Sequence, residues 1–306
     1  MNWKTATLFA ICLFMFFVQV DARSFEDYIE EFRGDTVVVK DYHDMDQTPN
    51  SLWDAIGLDE DAPDGRVYEI KYGGFYWMTG SLSSPQDRPL VIVGNDQTRL
   101  AQHDGGSTPP IIAHTLRFGG TGFLGIEFRN NLTLKNLILT TGFEHNSQGW
   151  SFLEPGAPNL TVTLENVLLE HTHWIFIQSN AHEGTKVHIS DSYFVNMSGQ
   201  PCRRNGGVYD NVDNNTDELI VENSTHIMGQ GILYSFRGNR FNKAIFNHNT
   251  FVNISGQLFA GFGYHTNVTV TNNLFVNSNV QGYYPGLDGP DDSHDSYNVL
   301  DQDSLP

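Results

Sequence analysis

Five cations gather in a chain that otherwise carries few. Arg203 and Arg204 precede Tyr209 and Asp210, and Arg237, Arg240 and Lys243 follow in the run YSFRGNRFNK. The whole sequence holds 17 Lys and Arg against 36 Asp and Glu, a formal net charge of −19. A cationic cluster on so acidic a molecule makes a local anion site. The chemistry it suits is neutralising a carboxylate and removing the proton on the adjacent carbon. In that scheme Arg237, with Arg240 beside it, is the base or charge neutraliser, Tyr209 the proton donor and Asp210 a ligand for Ca2+. Arg203, Arg204, His171, His173 and Trp174 would hold the substrate. The competing reading spends the cations on salt bridges to Asp210, Asp213, Asp217 and Glu222, and it stays open.

Histidines make a second constellation. His171 and His173 are expected on one face of a strand, with His182, His188 and His226 on following segments. Alternating histidines on a strand can bind a metal such as Zn2+. No Cys and no firm carboxylate partner joins them in sequence, so ordinary packing positions remain the plainer explanation.

Such residues need elements to position them, and the sequence supplies a repeat. LTLKNLILTT, VTLENVLLEHT, VHISDSYFVNMSG, LIVENSTHIMGQG, AIFNHNTFVNISG and VTVTNNLFVNSNVQG share one pattern between about residues 131 and 282. Anchoring each on its polar centre gives Asn136, Asn166, Asp191, Asn223, His248 and Asn272, spaced 24 to 32 residues apart. That period marks solenoids. Apolar and polar residues alternate with strand period, as in Val162-Thr163-Leu164-Glu165. No copy can bury its apolar side alone, so each must stack on the next. In-register stacking places the anchor side chains above one another and puts Phe194, Phe251 and Phe275 inside. A β-sandwich of short strands is the alternative, but it needs hairpin dipeptides that scarcely occur here.

The region from about residue 85 to 282 resembles the right-handed parallel β-helices of the pectin-lyase-like superfamily, in which motifs of the kind NNLF and NNTF mark the turn after a strand. The stretch VYEIKYGGFYWMTGSL, followed by PLVIVGND and PPII, resembles the opening coils of secreted bacterial β-helix proteins. The resemblance implies an all-β, right-handed parallel β-helix with a short N-terminal helical cap. It also implies a carbohydrate-active protein acting on a polysaccharide. The motifs of the characterised enzymes are mostly missing. Asn215-Thr216-Asp217 copies one short piece of the polygalacturonase pattern without the paired-Asp, Gly-His-Gly and Arg-Ile-Lys elements. His173-Trp174-Ile175 only echoes the pectate-lyase Trp-Ile-Asp-His element.

Composition bounds the remainder. The acidity excludes nucleic acid, which needs a basic footprint, and disfavours an acidic sugar polymer unless Ca2+ bridges the two. Lys4, the apolar run Thr7 to Val18 and Val20-Asp21-Ala22 read as a secretory signal peptide cut after Ala22. That run is shorter than a membrane span, so no stable membrane insertion is expected after cleavage. The protein is expected to be secreted or at the cell surface, with the periplasm as a variant. With Cys12 lost, Cys202 stands alone and no internal disulfide can form. The seven N-x-S/T sequons follow largely from the Asn-rich repeat.

The sequence divides into a signal segment at 1–22, a cap region at 23–66, the β-helix at 67–282 and an acidic, irregular tail at 283–306. In the cap, SFEDYIEEF is expected as a short amphipathic helix. Ser51 is expected as the N-cap of a second helix, SLWDAIGLDED, plugging the open end. Long segments at 95–115, 142–158 and 199–217 are where such folds place binding and chemistry. Two functions remain: a polysaccharide lyase on a uronate polymer, or a non-catalytic exported adhesin, sugar-binding or surface-structural module.

Overall fold

The computed structural model describes residues 23–95, 108–114, 125–140, 151–171, 175–179, 182–197, 206–212, 214–236, 239, 241–255, 257–260, 267–278, 294–296 and 299–300. The chain is a parallel β-solenoid of about seven turns. A full coil lays one strand on each of three faces. The first face carries strands such as Val67–Ile70, Thr185–Ser190, Thr216–Glu222 and Phe241–Asn247. The second carries Phe75–Met78, Tyr193–Val195, Thr225–Ile227, Thr250–Val252 and Leu274–Val276. The third is a separate seven-stranded sheet that includes Leu82–Ser83, Ile126–Phe128, Ser151–Pro155, Ile175–Ser179, Gly206–Asn211 and Ile232–Ser235.

The corner between the first and second faces is made by one left-handed residue per coil. Asn136, Asn166, Asp191, Asn223, His248 and Asn272 have φ of 57°, 52°, 52°, 51°, 55° and 56°. These are the anchors of the repeat. Asn and Asp tolerate this conformation better than other side-chain-bearing residues, which explains their recurrence. In Leu132–Thr140 and Thr161–Glu170 the strand runs straight through the bend. The amide stacking expected of the anchors occurs in part: Asn166 Nδ2 donates to Asn136 Oδ1 at 2.9 Å. The fuller ladder lies one residue later and inside. Ser224 N–H donates to Asn249 Oδ1 at 3.0 Å, and Asn249 Nδ2 donates to Asn273 Oδ1 at 3.0 Å.

The interior is filled by columns, one residue per coil. Phe194, Phe251 and Phe275 stack inside as expected, each 0% exposed, with His226 occupying the rung between the first two. The outward surfaces differ by face. On the first face charges interleave: Lys135 Nζ meets Glu165 Oε1 at 2.6 Å and His188 Nε2 meets Glu218 Oε2 at 3.0 Å. The second face shows Leu168, Tyr193, Thr225, Thr250 and Leu274 in register, beside Glu170, Val195, Ile227, Val252 and Val276.

The cap departs from expectation in two places. Only one 3-10 turn, Phe25–Tyr28, forms, and Ile29–Arg33 becomes a strand antiparallel to Thr36–Val39. Pairing with the first coil's edge satisfies more backbone groups than a lone short helix would. The helix Ser51–Leu58 does form, but its N-cap is Asn50, at φ 69°, rather than Ser51. It buries Leu52, Trp53, Ala55 and Ile56, and Trp53 Nε1 donates to Gly80 O at 2.9 Å. At the other end the stack outruns the legible repeat. His294–Ser296 and Val299–Leu300 pair in parallel with Val268–Thr271 and Leu274–Val276, inside the stretch expected to be irregular.

Candidate functional site on the third face

The third face has a regular inner side and a chemically loaded outer side. Leu82, Ile126, Leu153, Ile177, Tyr209 and Tyr234 turn inward. Successive side chains on a strand point to opposite faces, so their followers Ser83, Glu127, Glu154, Gln178, Asp210 and Ser235 form an outward polar ladder. Ser83 pairs with Glu127, Glu127 with Glu154, Gln178 with Asp210, and Asp210 with Ser235. Rungs lie ~4.8 Å apart, which gives a linear track of oxygens.

The track starts open and becomes enclosed. Ser83 is exposed and Glu127 and Glu154 half-buried, whereas Gln178, Asp210 and Ser235 are 7%, 0% and 1% exposed. All six residues of Gly206–Asn211 are buried, so both sides of the sheet are covered there.

Glu127 is tied from two sides. Arg129 Nε donates to its Oε2 at 2.9 Å and Ser83 Oγ donates to the same oxygen at 2.7 Å. A Cβ on Gly156 would meet Arg129 Cγ and Glu127 Cγ, each at 2.9 Å, so only glycine lets this pair lie over the backbone. Glu154 sits beside it and differs. Burial pushes its pKa above the ordinary carboxyl range, and the Glu127 charge adds to that, against a hydrogen bond from Ser151 Oγ. Of the two neighbouring carboxyl groups, Glu127 is engaged by a cation and a hydroxyl, whereas burial inclines Glu154 towards its protonated form.

Gln178 holds the next rung. Among the described residues, its buried Oε1 has no hydrogen-bond partner. Beyond it, Asp210 Oδ2 accepts the Gly206 N–H at 3.0 Å. The register slips between Gly206 and Tyr209. A Cβ on Gly206 would lie 1.8 Å from Tyr209 O, so the bulge that folds this amide back onto Asp210 requires glycine.

The residues expected from sequence separate here. Tyr209 is fully buried; its hydroxyl meets Thr216 Oγ1, its ring lies 5.6 Å from that of Phe236, and burial pushes its pKa well up. It faces the interior, and the role of proton donor to a polymer is corrected accordingly. Asp210 turns outward but is itself covered. His171 lies at a corner rather than on a strand face, with φ 61°, exposed, its Nδ1 2.9 Å from Asn196 Nδ2. His188 is on the first face and His226 in the interior, so these histidines do not converge. Among the described residues, no group of three or more His, Cys, Asp or Glu could hold a metal ion. His173, Trp174, Arg203, Arg204, Arg237 and Arg240 lie outside the described residues.

Glu127, Glu154 and Gln178 escaped the sequence reading. Their one signal is a polar residue at matching places in the short runs IEF, FLEP and IFIQS, which lack the Asn anchor of the main repeat.

No protein-family model matches the chain, and no curated protein matches it either. Among solved structures, the chain is similar to the PL6 family alginate lyase AlyGC, with a TM-score of 0.50 and 18% sequence identity. The likeness covers 89% of this chain and 38% of that one, so this chain spans well under half of its neighbour's length. At that identity the likeness establishes the parallel β-helix fold.

Proposed function

We propose that this is a secreted carbohydrate-active β-helix protein, a polysaccharide lyase acting on a uronate-containing polymer laid along the third face. The observation that carries the reading is the outward ladder Glu127–Glu154–Gln178–Asp210, one polar group per coil, with Arg129 and Ser83 on Glu127 and the half-buried Glu154 beside it. The fold shared with an alginate lyase supports it, as does the signal-like segment at 1–22. Among the described residues no helix is long and apolar enough to cross a membrane.

In β-elimination a base takes the proton on the carbon next to the uronate carboxylate. The electron pair of that C–H bond becomes a carbon–carbon double bond, the glycosidic C–O bond breaks, and the leaving oxygen takes a proton. Arg237, with Arg240, is proposed as the base or charge neutraliser. Arg203, Arg204, His171, His173 and Trp174 are proposed to hold the polymer. His171 suits this, because its exposed corner leads into the third face. Glu154 replaces Tyr209 as the proton donor, since it is the outward carboxyl whose pKa burial raises. The orphaned Gln178 Oε1 and the Asp210 carboxylate are oxygen donors of the kind calcium takes. A Ca2+ held there would neutralise the substrate carboxylate.

The alternative, a non-catalytic adhesin, sugar-binding or surface-structural module, is favoured by the enclosure of Asp210 and Ser235. Ultraviolet absorbance of the unsaturated product separates the two. The purified protein would be mixed with a panel of uronate polymers, with and without Ca2+. A rise that drops by ~100-fold in Arg237→Ala, the scale of a lost acid–base group, supports the lyase. No rise on any polymer shifts the assignment to a binding module.

A further inference from the structure

We propose that the outward side of the second face is the contact between two copies of this chain, packed sheet against sheet. The argument is independent of the proposed lyase activity. Five large hydrophobic residues are exposed among the described residues, and two of them, Phe32 and Leu58, belong to the cap. The other three share this one face or its corner: Tyr193 at 43%, Leu274 at 38% and Met228 at 49%. Tyr193 and Leu274 are three rungs apart in a single column, with Thr225 and Thr250 between them. The parallel column of Val195, Ile227, Val252 and Val276 is aliphatic throughout.

A lone exposed apolar residue needs no explanation, but a contiguous patch marks an interaction surface. The first face shows what this chain does where a sheet meets water: it interleaves lysine and glutamate, as in Lys135–Glu165. In the five rungs from Leu168 to Leu274, the second face carries one charge, Glu170.

Charge selects a second copy as the occupant. At a net charge of −19 two molecules repel through most of their surfaces, and a nearly uncharged face is where that repulsion is least. Shape agrees, because flat β-branched columns pack face to face at ~10 Å. Five or more coils of two columns offer on the order of 500 Å2 per copy, close to the ~1,000 Å2 in total that a specific association needs. That size fits a reversible dimer rather than an obligate one.

Sedimentation velocity of the full exported chain across the micromolar range tests this. The expected result is a shift from monomer to dimer with rising concentration. It should be lost in Tyr193→Lys/Leu274→Lys, whose altered side chains point outward and leave the thermal transition in place. Thr225→Lys is the milder variant should the pair fail to fold, and Thr163→Lys on the first face should dimerise normally. A wild-type protein that stays monomeric throughout, or a folded second-face lysine variant that dimerises undiminished, overturns the proposal.

Discussion

His226 Nε2 lies 2.7 Å from the Tyr234 hydroxyl, and both side chains are sealed inside the solenoid, 1% and 0% exposed. The imidazole is stacked between Phe194 and Phe251, with ring centroids 4.6 Å away on each side. Among the described residues its Nδ1 has no partner. Burial lowers its pKa to about 3, and burial lowers that of His114 to about 4.

These two histidines predict acid lability. Between the ordinary histidine pKa and the lowered folded values, the unfolded chain binds protons that the folded chain refuses. Stability therefore falls as pH drops through that window, at up to ~1.4 kcal/mol per pH unit for each group. Equilibrium unfolding followed from pH 7 to about pH 4 should show the loss. In His226→Phe the slope should be shallower, because the ring stack survives without a titrating group. An unchanged slope in that variant would remove His226 from the explanation.

Glu154→Gln should separate function from stability. The buried carboxyl is disfavoured in its charged form, so the amide should leave the protein at least as stable at neutral pH. Under the lyase reading it should also abolish turnover. In the wild type, activity should fall as pH rises through the raised Glu154 pKa, because a donor without its proton cannot serve the leaving oxygen. Glu127→Gln removes the neighbouring charge and should move that fall to lower pH. A pH profile identical in Glu127→Gln would show that the two carboxyl groups are not coupled.

Asn249→Ala should be among the costlier substitutions. Its side chain accepts the Ser224 N–H at 3.0 Å and donates to Val221 O at 2.8 Å, at 1% exposure. Leaving both buried groups unpaired costs about 2–4 kcal/mol. Asn249→Ser should cost less, since on the preceding rung Ser224 Oγ accepts the Ser192 N–H at 3.2 Å. Denaturant melts of the two variants give the comparison.

Met228→Asn should stabilise the fold. Met228 takes a left-handed φ of 56° on a corner that His171, Asn196, Asn253 and Asn277 also occupy, and it is the apolar member of that column. A side chain in this conformation costs ~1–2 kcal/mol, part of which asparagine avoids. A gain of ~0.5–1 kcal/mol should raise the melting temperature by a few degrees. A lower melting temperature would mean that the Met228 contacts outweigh the backbone strain.

What the sequence determined by itself is the solenoid and one of its corners. The anchors Asn136, Asn166, Asp191, Asn223, His248 and Asn272 were legible because the bend is local. One left-handed residue between two strands leaves its mark at every copy, whatever the rest of the coil does. Phe194, Phe251 and Phe275 follow from the same period.

The tertiary structure alone decided the third face. Its strands follow segments of unequal length and carry no anchor, so nothing in the sequence sets which residue of a pair points outward. A one-residue change of parity exchanges interior and surface along a whole strand. That is how Tyr209 came to lie inside and Asp210 outside, and why Glu127 and Glu154, 27 residues apart in sequence, were recognised as neighbours only once the coils were stacked.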